Sequence, residues 1–127
     1  MRQVLQAVIH SRAYGVSHGD LRPKNILVNP DTLEVKLIDF GCGYYVKDYK
    51  LSSEAHITSV WSLGLLLVEL VYGDISFNSP DIMIKKCSKF LSKECVQLLT
   101  LCLKRHVNAP TFEEILNHSW FRDKPSP

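Results

Sequence analysis

Few features of this sequence assign it by composition alone. The four cysteines, Cys42, Cys87, Cys95 and Cys102, form no C-x-x-C pair and have no His at ligand spacing, which argues against the usual zinc patterns and a disulfide framework. Half-buried thiols in a reducing compartment are the expectation. Charge is nearly balanced, with 15 Lys and Arg against 13 Asp and Glu for a net +2. That surplus is too small to call for nucleic acid or an anionic membrane as partner. The opening residues, "MRQVLQAVIHSRAY", lack the continuous apolar centre of a secretory signal. The longest apolar run, Val60 to Val71, is too short for a bilayer and contains Glu69, so it reads as a buried core helix. No internal repeat or low-complexity tract occurs. The cytoplasm or the nucleus is the expected location.

A chain of 127 residues, 46% of them hydrophobic, predicts one domain able to bury roughly two thirds of the surface its unfolded form exposes. Val4, Leu5, Val8 and Ile9 recur at helical spacing and Gly15 supplies a stop. Gly15 to Asn25 reads as a loop, because Pro23 holds Arg22 extended and stops any helix. The runs "NILVN" and "EVKLIDF" flank the turn sequence "PDTL" and predict a hairpin. Antiparallel pairing then brings Asn25, at the start of one strand, next to Asp39, at the end of the other. Gly41 and Gly43 open a polar loop expected to run through His56, followed by the core helix "SVWSLGLLLVELVYG". Helices are expected at Pro80 to Phe90, at Lys93 to Leu103, and after Thr111, which has Glu114 at capping-box spacing. The tail "DKPSP" should fray. The fold class predicted is mainly α with a short β-hairpin.

Chemistry concentrates in "HGDLRPKN", His18 to Asn25. Phosphoryl transfer needs a carboxylate to orient and deprotonate the attacking hydroxyl, and oxygen donors to hold magnesium on the phosphates. Asp20 suits the first task, Asn25 and Asp39 the second. The order H-x-D-x-x-x-x-N, then a hairpin, then D-F-G resembles the protein-kinase signature. Further along, "VWSLGLLLVELVYGDISF" looks like the central large-lobe helix of Pim-type serine/threonine kinases, which act in growth and survival signalling. The segments "ECVQLLTLCL" and "PTFEEILNHSWF" are similar to that family's last two helices. Most kinases carry an Asp just before V-W-S-L-G; Ser59 stands there, and the Pim pattern likewise lacks the acid.

The resemblance implies a protein-kinase-like C-terminal lobe over residues 1–127, with ATP and Mg2+ as cofactors. Asp20 would be the catalytic base, Asn25 and Asp39 the magnesium ligands, and Arg22 the phosphate contact where the family usually has Lys. Leu27 and Ile38 would form the floor of the adenine pocket. His18 and Phe40 match members of the stacked regulatory spine, with His18 more structural than catalytic. Implied partners are protein substrates, docking partners or full-length kinase relatives, with no nucleic acid and no membrane.

The pattern also has gaps. Upstream of His18 there is no Gly-rich loop, strand Lys or helix Glu, so the small lobe and the roof of the ATP site are expected to be missing. Gly19 replaces the Arg that anchors a phosphorylated activation loop. "CGYYVKDYKLSSEAHITS" replaces the G-T-x-x-Y-x-(A/P)-P-E segment, and Ala109 replaces the Arg that pairs with its Glu. Losing both members of a buried pair is nearly neutral, whereas losing one costs about 3–5 kcal/mol, so the lobe should still fold. Apolar surface around Leu27 and Ile38 should be exposed. By itself the chain is expected to be inactive, and the alternative reading is a non-catalytic, pseudokinase-like interaction module.

Overall fold

The computed structural model describes residues 1–39, 41, 44–45, 49–73, 79–104 and 109–121, with 44–45, 49–54 and 104 described by backbone alone. Phe40 and the 122–127 tail lie outside the described residues.

Apolar residues at helical spacing set the first element. Helix α1, Arg2–Ala13, buries Val4, Leu5 and Val8. It ends where Gly15 takes a φ of 75°, a left-handed conformation that side-chain-bearing residues avoid. The predicted loop that follows is more ordered than its polar sequence suggests. Its first residues, β1 (Val16–Ser17), pair antiparallel with residues 44–45. A single turn of 3-10 helix, Pro23–Asn25, closes it with Pro at the first helical positions, where a missing N–H costs nothing.

The hairpin forms as the sequence predicts. Strands β2 (Ile26–Val28) and β3 (Val35–Leu37) pair with Ile26 opposite Leu37 and Val28 opposite Val35. Alternation puts Ile26 and Leu37 against the core, while Leu27 and Ile38 share the other face. The turn is closed by Asn29, whose Oδ1 accepts from the N–H groups of Asp31 (2.9 Å) and Thr32 (3.3 Å). Gln3 clamps the hairpin to α1: its Nε2 donates to Leu33 O and its Oε1 accepts from Val35 N, both at 2.8 Å. Strand β4 (Tyr44–Tyr45) is the partner of β1.

The core helix begins earlier than predicted. Helix α2 spans Tyr49–Tyr72, so much of the expected polar loop before His56 is helical. No Gly or Pro interrupts 49–63, and an apolar core helix can propagate into a polar first turn once packing has fixed it. Ala55–Tyr72 is long and apolar enough to cross a bilayer, so the length argument made from Val60 to Val71 fails. Burial carries the core-helix reading instead: Val60, Leu63, Leu66, Leu67 and Val68 are all at most 5% exposed and form the face turned to the neighbouring helices, while Leu70 and Tyr72 near the helix end are exposed.

Helix α3 is Pro80–Cys87, shorter than expected, with 88–90 a turn. Helix α4 is Lys93–Lys104 and α5 is Phe112–Leu116. Thr111 Oγ1 accepts from Glu114 N at 3.0 Å, the cap its sequence predicts. Helix α2 joins two apolar clusters, one with α1, the hairpin, α4 and α5, the other with α3 and α4. Its closest approach to α4 is at Gly64, where a Cβ would lie 2.7 Å from Leu103 Cδ2. The architecture is mainly α with a short β-hairpin.

Candidate active site

Two hydrogen bonds hold the hairpin's open end against the loop. Ile38 N donates to Asn25 O at 2.9 Å, continuing the strand register by one pair. Ile38 O accepts from His18 Nε2 at 2.7 Å. The other ring nitrogen, Nδ1, accepts from Asp20 N at 3.1 Å. A backbone N–H only donates and a carbonyl only accepts, so the imidazole proton resides on Nε2. His18, 5% exposed, therefore positions both the residue before Asp39 and the backbone of Asp20.

Asn25 is 3% exposed. Its Nδ2 donates to Asp20 O at 2.8 Å and to Asp20 Oδ2 at 3.1 Å, which fixes the carboxylate's orientation. Lys24 Nζ lies 3.8 Å from the same Oδ2. Among the described residues, Asp20 Oδ1 and Asn25 Oδ1 have no hydrogen-bond partner, so each keeps its acceptor capacity. Asp39 is exposed and takes a φ of 58°, a left-handed conformation tolerated by Asp because its short side chain bonds locally. Its Oδ1 accepts from Gly41 N at 3.2 Å. Such a backbone, held by its surroundings, is found at functional sites.

The donor set suits a shared cation better than a self-sufficient cage. Among the described residues no three His, Cys, Asp or Glu side chains cluster as metal ligands. Asn25 Oδ1 and the Asp39 carboxylate are hard oxygen donors, and magnesium is commonly held by one or two protein oxygens, with phosphates and water completing its shell. The residues present fit that group.

Arg22 points elsewhere. Its Nη2 donates to Glu69 Oε1 at 3.0 Å, with side-chain exposures of 47% and 18%. That hydrogen bond, and then the charge of Glu69, hold the guanidinium pKa above its ordinary value. The phosphate contact expected of Arg22 is thus met by an internal carboxylate. Leu27 is 53% exposed and borders an open concavity with Val28, Asn29, Pro30, Glu34 and Lys36. Ile38 is half-buried and does not line it.

Three contributors were not legible as such. Lys24 sits four residues after Asp20, a spacing that could have flagged it. Glu69 read as the polar break in an apolar helix, and only the tertiary fold brings it to Arg22. His56 Nε2 donates to Pro110 O at 2.8 Å, and its ring meets Phe112 edge-on at 4.7 Å, so His56 ties α2 to the segment where Ala109 stands. Gly19, with φ 85°, and Ser59 line the same narrow cavity. Both departures from the expected pattern replace a larger charged residue by a small neutral one at adjoining positions.

A family model of the protein kinase domain matches residues 1–59. The serine/threonine-protein kinase pim-2 of Danio rerio is 32% identical, the match covering 97% of this chain and 47% of that protein. Sperm motility kinase 2A of Mus musculus is 32% identical over 94% of this chain and 29% of its own length. For the SNF-related serine/threonine-protein kinase of Homo sapiens the values are 32%, 98% and 20%. The chain thus spans about half the length of pim-2 and less of the others. These alignments run over 145, 148 and 155 residues, more than the 127 of the chain, so the relatives carry segments without a counterpart here. With similarity running along nearly its whole length, the chain is homologous to the serine/threonine protein kinases.

Proposed function

We propose that residues 1–127 are the large, C-terminal lobe of a Pim-type serine/threonine protein kinase, acting on a protein Ser or Thr hydroxyl. When bound, magnesium-ATP supplies the transferable phosphoryl group and the cation that screens its charge. Asp20 Oδ1 would orient the substrate hydroxyl and accept its proton during transfer to that hydroxyl, with ADP as the leaving group. Asn25 and Asp39 would hold the cation, and Leu27 and Ile38 would support the adenine from below. Arg22 serves the phosphate only after leaving Glu69. The observation that carries this reading is the pair of hydrogen bonds on Ile38, which hold Asn25, Asp20 and the start of D-F-G at one end of the hairpin. Ser59 and the match to pim-2 favour the Pim branch. Buried free thiols at Cys87, Cys95 and Cys102 favour the cytoplasm or nucleus.

The Arg22–Glu69 pair favours a second reading, a non-catalytic module that binds substrates or docking partners of kinase relatives. Phosphoryl transfer to a Ser-containing peptide separates the two. The longest natural product containing these residues should be active with magnesium-ATP and lose activity on Asp20→Ala, while residues 1–127 alone stay inactive. Activity that survives Asp20→Ala overturns the catalytic assignment. An inactive long product whose melting temperature ignores magnesium-ATP supports the interaction module.

A further inference from the structure

Away from the hairpin, one surface combines positive charge with exposed apolar groups. Helix α3 buries Met83 and Cys87, so its opposite side carries Ile82, Lys85, Lys86 and, in the following turn, Lys89 at the three- and four-residue spacing of one face. The three lysines are exposed, Ile82 is 40% exposed and Phe90 is 69% exposed. The Phe90 ring lies 6.4 Å from that of Tyr72 at the end of α2. From Ile82 to Lys93 the sequence has four lysines and no acid. Among the described residues, none of those lysines enters a salt bridge. Against a whole-chain surplus of +2, this is a local concentration of charge that raises the encounter rate with an anionic partner.

Solvated lysines alone would need no explanation, but the ring beside them does. Covering an exposed Phe is favourable in proportion to the apolar area removed from water, and an aromatic anchor within a charged rim is the make-up of a protein-docking hot spot. In the sequence, Asp81 and Glu94 flank this lysine run. An acidic segment that also carries an apolar side chain complements both the lysines and the exposed Phe90 ring, whereas a membrane surface would engage chiefly the charge.

We infer that this α3 face docks an acidic segment of a partner protein, with its carboxylates over Lys85, Lys86 and Lys89 and an apolar side chain on Phe90 and Tyr72. The surface is independent of phosphoryl transfer, so its test needs no kinase activity.

The test uses the 127-residue chain, a fluorescent peptide alternating Glu with Leu and Phe, the same peptide with Gln for Glu, and vesicles of mixed phosphatidylserine and phosphatidylcholine. The Glu peptide should bind and the Gln peptide should not, with affinity falling as salt rises from about 0.05 to about 0.5 M. Lys85→Glu with Lys86→Glu should weaken binding by about tenfold or more, and Phe90→Ala by several-fold. Lys36→Glu on the hairpin should leave binding unchanged. The milder Lys85→Gln with Lys86→Gln guards against a folding defect, read by circular dichroism and melting temperature. Equal binding of the Gln peptide, indifference to the α3 substitutions, or an equal loss with Lys36→Glu overturns the inference. So does sedimentation with anionic vesicles without peptide binding, which assigns the patch to a membrane surface.

Discussion

Around Gly64, α2 meets α4 through side chains with almost no solvent exposure: Leu66, Leu99 and Leu103 are each 0% exposed. Around Asn25, the loop meets the hairpin through hydrogen bonds to Asp20, Arg22 and Ile38. The first region is held by non-directional apolar burial, which acts in proportion to area. The second is held by directional bonds, each modest in net worth but costly to leave half-made when buried. A packed core therefore supplies most of the stability, while a few polar bonds hold Asp20, Asn25 and Ile38 together.

The sharpest way to break this contrast is to empty the core. Leu66→Ala should destabilise the chain by about 2–5 kcal/mol, the cost of lost transfer energy plus a residual cavity. Urea unfolding followed by circular dichroism measures it. Filling is penalised as well, because Gly64→Ala puts a Cβ 2.7 Å from Leu103 Cδ2. A loss below that for Leu66→Ala would show that the helical region yields more readily than its burial implies.

Asn25→Ala comes next, at about 1–3 kcal/mol, because it removes the two bonds to Asp20 from a residue with 3% exposure. Its signature is local. Amide exchange should quicken at Asp20 and Ile38 while α2 and α4 keep their protection, as expected when a substructure opens below the global unfolding energy. Uniform acceleration across the chain would mean that the loop and the core are one cooperative unit.

Much of this organisation was legible because it depends on local chemistry. The hairpin followed from β-branched runs around a turn sequence; it was expected to bring Asn25 next to Asp39, and the register sets Ile38, one residue earlier, opposite Asn25. The cap of α5 followed from Thr111 and Glu114. What stayed hidden depends on partners distant in sequence. Residues 49–55 read as loop because their polarity masks a helix that packing extends. Leu33 takes a φ of 60° in a turn position where Gly or Asn is the usual signal. Glu69 is 47 residues from Arg22, and no spacing rule reaches that far. The order of the candidate site residues is a local pattern, whereas the direction of Arg22 is a tertiary outcome.

The smallest effect at neutral pH is also the best probe of how dry the core is. Burial pushes the Cys102 thiol up from 9.0 to about 12, and raises that of Cys87 for the same reason. Cys102 is a neighbour of Gly64 at the contact between α2 and α4. A thiol with a folded pKa above its unfolded value contributes stability that is fully present below pH 9 and is lost as pH rises toward 12. Within that window the unfolded chain ionises Cys102 while the folded chain cannot, a loss of up to about 1.4 kcal/mol per pH unit from this one group. Stability should therefore be insensitive to pH near pH 7 as far as Cys102 is concerned, and should fall less steeply above pH 9 in Cys102→Ala than in the unaltered chain. Equal slopes would mean that water reaches the α2–α4 contact, and the contrast between an apolar core and a hydrogen-bonded loop would lose its basis there.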